Sequence, residues 1–220
     1  MKVILFGATG MIGQAVLREC IADPGVARVL TVGRSASAAH SPKVQQLVHK
    51  DFLDFTAVAA DMTGYDACFW CLGVTSAGMS EADYTRVTHD YTVAAASVLA
   101  KANPGMTFVF VSGQGTDSSE AGRIMWARVK GRAENAVLKL PFKAAYCVRP
   151  AFIQPMHGIT SRTRLYRLAY AVTTPLFPLL RHLKSFVTTT DHLGKGMVHV
   201  ARVGAAKKVL ENSDIVAIKV

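Results

Sequence analysis

The residues whose types and spacing could do chemistry stand first at the N-terminus. Gly7, Gly10 and Gly13 follow one another as G-x-x-G-x-x-G, directly after the apolar run Val3, Ile4, Leu5, Phe6 and directly before a helical pattern. Each glycine answers a separate demand. The turn out of a strand needs unusual dihedrals, the backbone must come close to a pyrophosphate, and the helix must pack tightly on the sheet. The first N–H groups of that helix, around Thr9, Met11 and Ile12, lack partners within it and suit a phosphate. Arg34 lies just past the next strand pattern, where a dinucleotide site meets the adenosine ribose. An acid there would accept hydrogen bonds from both ribose hydroxyls, whereas arginine offers a charge-assisted fork to a 2′-phosphate. The cofactor expected is therefore NADP(H), with NAD(H) as the second choice, and Ser35 is a further phosphate donor.

The elements that must position these residues read as an α/β Rossmann-type, doubly wound parallel sheet with helices on both faces and a small C-terminal lid. Strand patterns cover residues 3–6, 26–32, 44–49, 66–72, 106–111 and 146–148. Helical patterns cover 12–22, a short 55–60, 81–100 and 124–138, with a further helix from the Thr190-Asp191 cap to about 202. Residues 204–210 read as one more short helix and 215–220 as a last strand. The fourth strand pattern, nearly all apolar, suits a sheet covered on both faces. It delivers Leu72 and Gly73 to the cofactor side, with Gly73 letting the chain pass close to a ribose.

At 220 residues and half apolar, the chain suits one NAD(P)-binding domain over 1–220, with 151–190 supplying a substrate lid or partner-binding region. Its formal net charge of +10 favours anionic partners. No nucleic-acid motif accompanies that charge, so no specific nucleic acid is expected. Cys20, Cys68, Cys71 and Cys147 read as small buried hydrophobes in a reducing compartment. With no cleavable signal sequence evident, the expected location is cytoplasmic. No metal site is expected. Residues 162–184 mix basic and apolar side chains around Pro175 and Pro178. They fit a lid wall over a hydrophobic small-molecule substrate, a homodimer contact or a peripheral membrane patch, the lid being favoured.

The wording GATGMIG resembles the short-chain dehydrogenase/reductase superfamily, in its extended and atypical branches. In that superfamily an aspartate after β3 contacts the adenine amino group, which falls on Asp51, with Phe52 lining the adenine pocket. Asp51 serves equally well as a cap for the short helix after it. The resemblance further implies a serine that hydrogen-bonds the substrate oxygen, here Ser112, and a lysine that holds the nicotinamide ribose, here Lys130. Four residues before that lysine the superfamily has its proton-donating tyrosine; this chain has Trp126. Residues i and i+4 share a helix face, so both reach the same end of a cofactor. Indole N–H donates a hydrogen bond but is not a practical acid or base near neutral pH. Trp126 stacks near the nicotinamide or fills helix-packing space.

More narrowly, the chain is similar to the atypical subgroup that includes the Tat-interacting oxidoreductase. The matching pieces are Cys71-Leu72-Gly73-x-Thr75, Asp90-Tyr91, Ser112 with Gly115 and Asp117, Val129-Lys130-Gly131-x-x-Glu134, and Arg149-Pro150. The resemblance implies an NADP(H)-binding oxidoreductase acting on a carbonyl or alcohol, or alternatively a catalytically weak or inactive NADP(H)-binding regulatory or partner-binding protein. Tyr91 and His157 are further acids to be weighed against core or surface roles.

Overall fold

A computed structural model describes residues 1–159 and 186–219. Seven strands form one sheet: β1 (Lys2–Phe6), β2 (Arg28–Gly33), β3 (Val44–Val48), β4 (Ala67–Trp70), β5 (Thr107–Val111), β6 (Ala144–Arg149) and β9 (Val209–Glu211). Their order is β3-β2-β1-β4-β5-β6-β9, and every pairing is parallel. The strand order reverses between β1 and β4, and such a switch point opens a crevice at the carboxyl ends of the strands.

Strand alternation builds the two cores. Val3 and Leu5 of β1, with Val109 and Val111 of β5, pack against α1 (Met11–Ala22) and α5 (Thr190–Val203). Ile4 and Phe6, with Cys68, Trp70, Phe108 and Phe110, face α3 (Tyr91–Ala102) and α4 (Met125–Lys139). A sheet apolar on both faces must be covered on both faces. The short strands β7 (Phe152–Gln154) and β8 (Val187–Thr189) pair with each other as a separate parallel ribbon. Cys20, Cys68 and Cys147 are buried thiols, as expected, whereas Cys71 is half-buried and lines the cleft beside the glycine turn; burial pushes Cys20 up to about 12.

Three readings of the sequence are corrected. The pattern over 81–100 is not one helix: α2 (Glu81–Thr85) passes into a π-helical turn (Arg86–Asp90) before α3 begins. The short helix over 55–60 is two 3-10 turns, Thr56–Val58 and Ala60–Met62. At the C-terminus the expected helix and strand change places. Residues 209–211 are the seventh strand, and α6 (Asn212–Ala217) follows it. The local reason is a capping box: Glu211 and Asp214 each accept from the other's backbone N–H, which starts a helix where apolar residues suggested a strand. The segment 160–185, which holds most of the expected lid, lies outside the described residues.

Candidate cofactor and active site

The turn after β1 is built by two glycines whose side chains would have no room. Gly7 has φ +77°, and a Cβ there would stand 2.7 Å from the Cys71 carbonyl. A Cβ on Gly13 would stand 2.0 Å from the Gly7 carbonyl oxygen. Gly10 differs, since its nearest neighbour would be at 3.4 Å. Its N–H closes the turn onto the Gly7 carbonyl at 2.9 Å, and Gly10 caps α1 with no side-chain hydrogen bond. The opening N–H groups of α1 thus stay available to an anion. These features fit a pyrophosphate.

A cleft of about 470 Å³ opens beside this turn. Gly7, Thr9, Gly10, Arg34, Phe52, Leu72 and Gly73 line it, together with Val87 and Tyr91. Ser35 and Ser37 stand beside Arg34 on the same wall, and Arg34 makes no ion pair among the described residues. Asp51 does not line the cleft, and it does not cap a helix. Its carboxylate accepts the Leu53 N–H at 2.9 Å in an Asx turn, while Asp54 accepts from Thr56 ahead of the 3-10 turns. Phe52 is buried in the aromatic cluster of Phe6, Phe55 and Tyr91.

Ser112, Trp126 and Lys130 gather on a second assembly, at the exit of β5 and the start of α4. The backbone of Ser112 donates to Val148 at 2.8 Å and that of Gln114 to Pro150 at 3.0 Å, so the loop runs alongside the end of β6. It then lies on α4. Asp117 N–H donates to the Ala127 carbonyl at 3.1 Å, and a Cβ on Gly131 would fall 1.8 Å from the Asp117 carbonyl oxygen. Gly131 is therefore what lets the serine loop rest against the lysine helix. Lys130 Nζ reaches the Val111 carbonyl at 3.5 Å and lies 5.6 Å from the Phe110 ring centre. Desolvation pulls the Lys130 ammonium down to about 8, against the opposing charge of Glu134.

Two details of this assembly were not legible in the sequence. Ser112 Oγ is 2.9 Å from Thr116 Oγ1, and Thr116 Oγ1 is 2.8 Å from the Gly113 carbonyl. A carbonyl only accepts, so the Thr116 hydroxyl donates to Gly113 and Ser112 donates to Thr116. The serine proton is thereby committed within the loop. The benzo edge of Trp126, in turn, sits over Gly115 of the same loop, 3.5 Å from where a Cβ would stand. Behind both, Arg149 of β6 forks onto buried Glu134 of α4 and also bonds Glu211 and Ser118. His157 is paired with Asp191 at 2.6 Å, across the base of the β7–β8 ribbon.

A family described as NAD(P)H-binding matches residues 7–144, which span the glycine turn, the cleft and α4. The chain belongs to this family. Among its relatives is Protein FMP52, mitochondrial, of Chaetomium globosum, 26% identical over 222 residues, covering 97% of this chain and 94% of that protein. Protein HTATIP2 of Rattus norvegicus is 30% identical over 156 residues, covering 69% of this chain and 62% of that protein. A short-chain dehydrogenase/reductase superfamily protein from Agrobacterium tumefaciens, solved with bound NAD, superposes with a TM-score of 0.67 at 14% identity, covering 96% of this chain and 76% of that one. The fold is thus that of the short-chain dehydrogenase/reductase superfamily. The cytoplasmic expectation is corrected: the FMP52 relatives from several fungi carry a mitochondrial designation. Buried thiols indicate only that a cysteine is shielded, which a reducing organelle interior allows as well as the cytosol does.

Proposed function

We propose that this chain is an atypical short-chain dehydrogenase/reductase-like oxidoreductase of the Tat-interacting subgroup, binding NADP(H) and acting on a carbonyl or alcohol. The observation that carries the cofactor choice is Arg34 on the wall of the cleft, with Ser35 and Ser37 also lining it and no acidic partner for Arg34 among the described residues. A guanidinium so positioned suits a 2′-phosphate through charge-assisted hydrogen bonds. Gly7, Gly10 and Gly13 with the N–H groups of Met11 and Ile12 would hold the pyrophosphate, and Leu72 and Gly73 the nearby ribose. Lys130 would hold the nicotinamide ribose, and Ser112 would face the substrate oxygen. When bound, the nicotinamide supplies or accepts a hydride.

A second reading, a cofactor-binding protein with little turnover, is favoured by Trp126. Its ring is packed over Gly115, and the proton of Ser112 is engaged by Thr116. Loss of a general acid removes an effect of about 10²- to 10⁴-fold.

The test of the cofactor choice is a paired titration of the purified protein with NADPH and NADH, repeated with Arg34→Ala. Tight NADPH binding weakened about tenfold or more by the substitution, with NADH unchanged, is the expected result. Equal affinity for both cofactors in the wild type would remove Arg34 from this role.

A further inference from the structure

The far wall of the cleft carries two side chains from the π-helical turn and its junction with α3. Val87 lies within the turn Arg86–Asp90 and Tyr91 immediately follows it, and both line the cleft. Single π turns inside helices recur at functional sites. Within this one the Thr88 hydroxyl is buried with no hydrogen-bond partner among the described residues.

Tyr91 is half-buried, with its ring 5.7 Å from that of Phe52. Phe52 in turn packs edge-on against Phe6 and Phe55, so the wall is rigid. The Tyr91 hydroxyl makes no hydrogen bond within the described chain and is not shut away from solvent, and the residue lines the cleft. A tyrosine held by its ring and left with a free hydroxyl presents a flat apolar face and a polar handle to a ligand. Its neighbour Phe52 is tied to the Arg34 end through His49, whose ring centre lies 6.3 Å from that of Phe52 and whose backbone N–H donates to the Gly33 carbonyl at 2.9 Å, whereas Ser112 and Lys130 lie on the β5–α4 assembly.

We propose that Tyr91 binds the adenosine half of the nucleotide, its ring walling the base beside Phe52 and its hydroxyl hydrogen-bonding the base or its ribose. This inference rests on the cofactor reading above. It also assigns the phenol to recognition, so Tyr91 is not the replacement for the acid missing at Trp126.

The test separates the two halves of the cofactor. Wild type, Tyr91→Phe and Tyr91→Leu are titrated calorimetrically with NADPH, with adenosine 2′,5′-bisphosphate and with nicotinamide mononucleotide. Thermal melting accompanies each titration. Tyr91→Phe keeps the ring, so its melting should match the wild type. It should weaken NADPH and the bisphosphate by the same factor, about three- to tenfold, and leave the mononucleotide unchanged. Tyr91→Leu should weaken both further. Unaltered binding of the bisphosphate to Tyr91→Phe overturns the proposal while leaving the cofactor reading intact, as does a loss confined to the mononucleotide. If the wild type binds neither NADPH nor the bisphosphate, the cofactor reading falls and the role of Tyr91 falls with it.

Discussion

The turn after β1 and the loop after β5 sit at the carboxyl ends of two strands of one sheet, with β4 between them, yet they are constrained in opposite ways. The first is fixed by backbone meeting backbone: Gly7 against Cys71, Gly13 against Gly7. The one side-chain hydrogen bond to it among the described residues is from the Gln14 amide to the Thr9 carbonyl, and the motif is intact. The second is assembled from side chains on β5, α4 and β6: Ser112 with Thr116, Trp126 over Gly115, Lys130 at Val111, and Arg149 with Glu134 behind them. Here Trp126 stands where the resemblance implies a tyrosine, and its ring lies over Gly115 of the loop. On the proposed reading, holding a cofactor and moving a proton fall to these two separate assemblies.

The sharpest way to break this contrast is Gly13→Ala. The added methyl would collide with the Gly7 carbonyl oxygen, so the turn and α1 cannot both keep their places. We expect destabilisation of about 4 kcal/mol or failure to fold, read from denaturant unfolding. A folded Gly13→Ala that still bound NADPH would show that the turn is not backbone-limited.

On the second assembly, Glu134→Gln removes a buried carboxylate from Arg149 and leaves that guanidinium with Glu211 and Ser118. Breaking one partner from a buried ion pair costs about 3 kcal/mol. The midpoint of urea unfolding should fall accordingly. An unchanged midpoint would mean that Glu211 alone satisfies Arg149.

Trp126→Tyr sharpens the comparison on the side of chemistry. It restores a phenol four residues before Lys130, and carbonyl reduction with NADPH should rise by about 10²-fold across a small aldehyde and ketone panel. The affinity for NADPH should not move. If activity stays flat while affinity holds, the Ser112–Thr116 bond is the next obstacle, and the reading of little turnover gains.

The smallest expected effect is a pH slope. Burial lowers Lys130 to about 8 from 10.5 in the unfolded chain, so between those values the unfolded state binds more protons. Stability from this residue therefore rises as pH increases through that window and is lowest below it. Lys130→Met should flatten the rise in unfolding free energy between about pH 8 and 10. A wild-type slope that survives the substitution would assign it to another group.

Much of the molecule was legible because it is local. The six strand patterns up to β6 fall on strands, since a sheet covered on both faces leaves continuous apolar runs. The relation of Trp126 to Lys130 needs only the pitch of one helix. The errors lie where apolar patterning does not decide. The strand β9 has three residues and exists through its pairing with β6, while α6 starts at a reciprocal cap that apolar patterning does not reveal. The π turn splits a helix whose apolar face looked unbroken.

What the sequence determined by itself was the glycine turn, the arginine after β2, and the absence of a tyrosine before Lys130. Each is a property of residue type and spacing within one or two adjacent elements. Only the tertiary structure decided that the Ser112 proton goes to Thr116, that Trp126 covers Gly115, and that Tyr91 stands by Phe52 in the cofactor cleft. Those contacts join segments brought together by the order of strands in the sheet, and hydrogen-bond direction and ring packing depend on separations of a few ångströms that no spacing along the chain encodes.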